Sequence, residues 1–294
     1  MDVVRTPESR FVGLPGYPFE PHYFEHEGLR MHYLDEGHGD PLLLLHGEPD
    51  WSYLYRKMIP ALSDAFRVIA PDYLGFGRSD KPTEIGWYTY DRHCDSIRAL
   101  IRHLDLRGIS VAVQDWGGPI GLRLAAEDPD RFARLIVLNT GLFVPGPGWP
   151  TPGFTRWRNF AERTGLNMDV GRVMEMSVAR GLAPEVLGAY NAPFPTPESK
   201  AGVAAFPLLV PLKEGDPGAA EMARAREVIE SWDVREIVIW SDSDPVFPLD
   251  MGRAFAKIFR NAREPVVVKN AGHMLQEDAG EEVADIILEW VGAI

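Results

Sequence analysis

The sequence predicts an α/β protein: a mostly parallel central sheet flanked by helices, with an inserted helical cap domain. Three observations predict it. Short apolar runs recur along the 294 residues. Amphipathic stretches of helical period separate them. One proline-rich segment late in the chain breaks that alternation. Short buried strands alternating with helices imply a parallel sheet covered on both faces.

The strand signals are Pro41 to Leu45, Arg67 to Ala70, Ile109 to Val113, Arg134 to Leu138, Glu236 to Trp240 and Pro265 to Val268. Leu29 to Leu34 alternates instead, as an antiparallel edge hairpin does. Between Asp91 and Leu104, apolar Ile97, Leu100, Ile101 and Leu104 fall at helical spacing. Pro119 to Glu127 and Glu281 to Val291 read the same way. Residues 141–217 hold 11 of the 25 prolines and open on Val144-Pro145-Gly146-Pro147-Gly148-Trp149-Pro150. They contain helical pieces such as Asp169 to Ala179 but no buried strand signal. The expected division is a core of residues 1–140 and 213–294, with the cap at 141–212. Insertions at the C-terminal edge of a parallel sheet tend to cover the ligand crevice there.

Composition narrows the function. The chain has 30 basic and 43 acidic side chains, a net −13. That argues against nucleic acid, which needs clustered Lys and Arg, and against anionic membranes. No apolar run approaches the roughly 20 residues needed to span a bilayer. Cys94 is the only cysteine, so no intrachain disulfide can form. Met1 to Arg10 is charged and lacks an apolar leader core. A cytoplasmic protein, monomeric or weakly homo-oligomeric, is expected.

The chemistry begins at Val111-Ala112-Val113-Gln114-Asp115-Trp116-Gly117-Gly118-Pro119. A buried strand runs into small residues and then a helix, the strand–turn–helix geometry of a nucleophile elbow. The apex is Asp115. A carboxylate has an ordinary pKa of about 3.9, so it is already an anion at pH 7. It suits displacement at saturated carbon, which forms an alkyl ester on the enzyme. The competing reading is that Asp115 merely caps the following helix.

Three further segments supply partners. His46-Gly47-Glu48-Pro49 follows a buried strand, where an oxyanion loop would lie. The backbone N–H groups of Glu48 and Trp116 could hold the oxyanion formed when water attacks the ester, with His46 supporting the loop. Asn270-Ala271-Gly272-His273-Met274 puts His273 in a loop after the last strand, where a general base would sit. Ser241-Asp242-Ser243-Asp244-Pro245 offers two acids to orient that imidazole. Asp244 is preferred because Asp-Pro favours a turn start, with Asp242 as the alternative. The order Asp115, Asp244, His273 is nucleophile, acid, base, as in α/β-hydrolases.

Over essentially its whole length the chain resembles the haloalkane dehalogenases, which have the α/β-hydrolase fold. The resemblance is carried by His46 to Tyr55, Asp72 to Pro82, Gln114 to Gly118, Gly153 to Trp157 and Ala271 to His273. It is nearest the branch whose halide is held by two tryptophans. It implies hydrolysis of a small apolar halogenated substrate to alcohol and halide ion, without metal or cofactor. Trp116 is one expected halide donor, since an indole N–H has no competing acceptor. The resemblance makes Trp157 the second, over Trp149 in the Pro/Gly-rich loop. It gives Phe154 as a pocket residue, while Phe194, Phe206 and Pro207 in the cap read either as further pocket walls or as cap core. Trp240 and Trp290 are expected in packing.

In another branch an Asn replaces Glu48 as halide donor. An ionised Glu48 could not donate, which closes that route. The site that carries the triad acid in a further branch is Asn139 here, which cannot be an anion. Rival readings are an epoxide hydrolase, which wants cap phenols where only Tyr190 occurs, and a fluoroacetate-type enzyme, which wants arginine beside the nucleophile. A non-catalytic α/β-hydrolase ligand-binding module is the third rival, although such modules commonly lose a triad member.

Overall fold

The computed structural model describes residues 1–261 and 263–292. One sheet of eight strands runs through it: β1 (His22–His26), β2 (Leu29–Gly37), β3 (Pro41–Leu45), β4 (Arg67–Pro71), β5 (Ile109–Asp115), β6 (Phe132–Thr140), β7 (Arg235–Ser241) and β8 (Val266–Val268). Their order across the sheet is β8-β7-β6-β5-β3-β4-β2-β1. β2 is antiparallel to both β1 and β4, and the other pairings are parallel. The hairpin read at Leu29 to Leu34 is therefore present at one edge. A separate two-residue pairing, Val3–Val4 with Lys81–Pro82, carries no sequence signal.

All seven residues of β5 are buried. Its Val111, Ala112 and Val113 present apolar atoms to both faces, which a strand covered on both sides requires. Leu45 pairs with Val113, and Asp115 pairs with Thr140 across a register shift. The ends of β3, β5 and β6 thus lie side by side. The chain leaves β3 toward one edge and β5 toward the other, so this is where the strand order reverses. In open α/β sheets the ligand crevice lies at that point.

Core helices are α1 (Tyr90–His103), α2 (Gly117–Glu127), α7 (Ala219–Ser231), α8 (Leu249–Ala256) and α9 (Leu275–Gly292), with a single turn at Ile59–Leu62. α1 starts where the Thr89 hydroxyl accepts the Arg92 N–H at 3.2 Å. α9 is broken at Ala279, whose φ and ψ are −142° and 41°. Between β6 and α7 lie α3 (Pro152–Thr164), α4 (Val170–Ser177), α5 (Pro184–Asn191) and α6 (Ala201–Leu209), with no strand among the described residues. Thr151 caps α3 by accepting the Phe154 N–H, and Asp169 caps α4 by accepting the Arg172 N–H. Among the described residues, no helix is long and apolar enough to cross a membrane.

Candidate active site

Asp115 ends β5 with φ +46°, a backbone state rare outside glycine. Backbone strain of this kind persists only where surroundings enforce it. Here the Thr140 hydroxyl donates to the Asp115 carbonyl and the tight pairing with β6 holds it. The turn lifts the carboxylate clear of α2. That helix starts at Gly117 with no side-chain cap, so the capping alternative for Asp115 does not hold. Oδ1 accepts the Glu48 N–H at 2.9 Å. The loop can come this close because residue 47 is glycine: a Cβ there would sit 2.6 Å from Asp115 Oδ1. The Trp116 N–H makes no hydrogen bond to the carboxylate among the described residues.

His273 sits between two acids. Its Nδ1 is 2.8 Å from Asp244 Oδ2 and its Nε2 is 3.5 Å from Asp115 Oδ2. Asp244 is aimed by the Val246 and Phe247 N–H groups, which donate to Oδ1 at 2.7 and 2.8 Å. Asp242 points elsewhere, accepting from the Ser243 hydroxyl at 2.8 Å. Burial opposes charge on His273, but the Asp244 and Asp115 carboxylates outweigh it and hold its pKa well above the usual value. His46 is structural, as expected: Nδ1 meets Gly47 O and Asp50, and Nε2 accepts the Tyr73 N–H.

These groups face a mostly apolar cavity of about 40 Å³. Glu48, Asp115, Trp116, Phe154, Trp157 and His273 all line it. Phe206 backs the Trp116 indole edge-to-face at 4.9 Å rather than lining the cavity, while Pro207 does line it. Trp149 donates its indole N–H to the Pro211 carbonyl at 2.9 Å and faces a neighbouring cavity. Trp116 and Trp157 make no such bond among the described residues. Trp240 is wholly buried and donates to Phe247 O, and Trp290 packs against the Arg235 guanidinium.

Two expectations need correction. Phe194 is buried but does not line the cavity. It follows α5, where Thr6 and Arg10 of the N-terminal arm donate to the carbonyls of Pro193 and Ala192 and hold this turn away from the site. The second is the exclusion of Glu48 as a halide donor. Full burial, with Asp115 and Asp50 nearby, holds its pKa well above the carboxylate range. A raised pKa removes the argument that this side chain cannot donate, and Trp157 rests on its place in the cavity instead.

Sequence reasoning missed two neighbours. Gln114 Nε2 donates to the His273 carbonyl at 3.3 Å. Asn139 donates to the carbonyls of Gly272 and His273 at 3.0 and 3.1 Å and accepts the Ser241 N–H at 3.0 Å. The amide at 139 therefore holds the loop of the base. No group of three or more His, Cys, Asp or Glu side chains suited to a metal occurs among the described residues.

A family profile described as alpha/beta hydrolase fold matches residues 40–280. A haloalkane dehalogenase of Psychrobacter cryohalolentis is 45% identical, covering 99% of this chain and 98% of its own. One from Mycolicibacterium paratuberculosis is 43% identical with both chains fully covered. The chain belongs to the haloalkane dehalogenase family. Structural likeness agrees with this membership. The tetrameric haloalkane dehalogenase of Paraglaciecola agarilytica superimposes with a TM-score of 0.91, at 37% identity over 97% of each chain. As a haloalkane dehalogenase, this chain combines an aspartate elbow with a cavity lined by Trp116 and Trp157.

Proposed function

We propose that the protein hydrolyses haloalkanes to alcohol and halide through an alkyl ester on Asp115. The observation that carries the reading is the carboxylate at residue 115 facing a small cavity shared by the indoles of Trp116 and Trp157. One Asp115 oxygen attacks the carbon bearing halogen, forming the C–O bond as the carbon–halogen bond breaks. The halide leaves toward two indole N–H donors. Such donors count for more in a dry cavity than in water.

Ester formation removes the charge of Asp115. One of the two carboxylates raising the His273 pKa is then gone, which favours the neutral imidazole, any ring proton passing to solvent water. Neutral His273, oriented by Asp244, takes a proton from water, which attacks the ester carbonyl. The N–H groups of Glu48 and Trp116 receive the oxyanion. Collapse frees the alcohol and restores Asp115. Residues 1–140 and 213–294 act as the core and 141–212 as the cap that closes the cavity.

The cavity volume refines the substrate class. A water needs roughly 10–15 Å³ by this measure, so a cavity of about 40 Å³ favours short-chain substrates. The phenol required for epoxide opening is not offered, because Tyr190 donates to Glu277 and lies outside the cavity. The test is halide and proton release from bromoethane and 1-bromopropane beside an epoxide panel. Activity confined to epoxides overturns the reading.

A further inference from the structure

Directly after His273, the start of α9 carries an acidic pair, Glu277 and Asp278, which the reaction does not use. Both are buried and both join the core to the inserted segment. Glu277 takes both guanidinium N–H groups of Arg56, at 2.6 and 2.7 Å, and the phenol of Tyr190 in α5 at 2.6 Å. Asp278 makes a different joint. Its Oδ2 accepts the Gly272 N–H at 2.8 Å, one residue before the base, and the Ala179 N–H at 2.9 Å, just past α4. Its Oδ1 accepts the Arg180 N–H at 2.8 Å. One carboxylate thus bonds the loop of the base and the insertion together.

Other contacts tighten the same joint. The Met274 N–H donates to the Ser177 carbonyl at 3.1 Å. A Cβ at residue 272 would lie 2.5 Å from Ser177 O, so only glycine admits this approach. The Arg180 guanidinium wraps the loop from outside, donating to the carbonyls of Asp278, Asn270 and Lys269 at 2.7, 3.1 and 3.2 Å. Ser177 itself lines the catalytic cavity, as does Val173 of α4. Whatever seats α4 over the cavity therefore also seats His273. A carboxylate receiving three N–H donors is a stiff joint, because hydrogen bonds to an ionised acceptor are roughly twice as strong as neutral ones.

We propose that Asp278 is a positioning residue that ties the seat of the inserted segment to the orientation of His273, so that hydrolysis of the ester depends on it and formation of the ester does not. The proposal rests on the dehalogenase reading above. Asp115 draws its position from β5, Thr140 and the Glu48 N–H, none of which touches Asp278. His273 draws its position from a loop that does.

The test compares the two half-reactions in Asp278→Asn. The amide directs an NH2 at a backbone N–H and breaks at least one of the three bonds. The rapid first release of bromide from bromoethane should keep its wild-type rate. Turnover should fall on the order of 10- to 100-fold, the cost of misplacing a reacting group by about 1 Å. Intact-mass spectra during turnover should show the alkyl adduct. Arg180→Gln, at a side chain 40% exposed, is the second variant and should show the same split at a few-fold. Equal slowing of both half-reactions in Asp278→Asn makes Asp278 a fold residue and overturns the proposal. So does a folded Arg180→Gln with wild-type turnover, even if Asp278→Asn does not fold. Wild type that releases no bromide fails the dehalogenase reading itself, and the proposal with it.

Discussion

Asp115 and His273 stand 3.5 Å apart, from carboxylate oxygen to Nε2, with Asp244 behind the ring at 2.8 Å. Two anions flank one imidazole, and the reaction removes one of them midway. The two half-reactions therefore separate by mutation. Asp115→Ala should abolish turnover, since Asp115 is the cavity carboxylate placed 3.5 Å from the His273 base. His273→Phe should leave the first displacement and trap the ester, seen as an added alkyl mass. A His273→Phe protein that releases halide once and carries no adduct would contradict a covalent ester.

The halide site makes a second, separable claim. Trp157→Phe and Trp116→Phe each remove one N–H donor while keeping an aromatic wall. Each bond to a charged partner is worth about 1.5–3 kcal/mol, so bromide affinity should weaken on the order of 10- to 100-fold. Quenching of tryptophan fluorescence by bromide measures it. Trp149→Phe should leave bromide affinity nearly unchanged, because that indole already serves the Pro211 carbonyl. Loss of affinity in Trp149→Phe alone would move the site to the wrong indole.

Much of this was legible from local pattern. β5 and its elbow follow from an unbroken apolar run meeting Trp116-Gly117-Gly118, and that geometry is set by neighbours in sequence. The role of Asn139 was not legible. Its amide reaches Gly272 and His273 only because the sheet sets β6, β7 and β8 side by side, so that residues 134 apart meet in the His273 contact. The raised pKa of Glu48 was not legible for a related reason: burial and Asp115 and Asp50 cause it, and the side chain alone reports neither. Phe194 failed because flanking prolines announce a turn but not the face it presents.

The elevated His273 pKa has a sign in stability. A group whose folded pKa exceeds its unfolded value, about 6.5 for histidine, stabilises the fold by binding a proton. That contribution is complete below about pH 6.5 and is lost as pH rises through the folded value. Lys81 acts oppositely. Burial pulls its pKa down to about 7, so stability from that group grows as pH rises above it. The informative quantity is therefore the difference between wild type and His273→Gln in urea. The wild-type advantage should shrink as pH climbs above neutrality, and an advantage that grew with pH would mean a neutral imidazole in the free enzyme.

Substrate length tests the cavity wall. Phe143 lines the catalytic cavity and also a second, largely apolar cavity of about 290 Å³, where its ring stacks on Trp149 at 5.3 Å. Among the described residues, Phe143 is the one that lines both spaces. Phe143→Ala should join them and admit chains that the wild-type cavity rejects. Burying one methylene is worth about 0.8 kcal/mol, or roughly fourfold in kcat/KM. Across 1-bromobutane to 1-bromohexane the variant should therefore gain on wild type by up to about fourfold per added carbon, while losing on bromoethane through a looser fit. A parallel drop across the whole series would mean that the wall serves only to hold Trp116 in place, since the two rings meet edge-to-face at 5.8 Å.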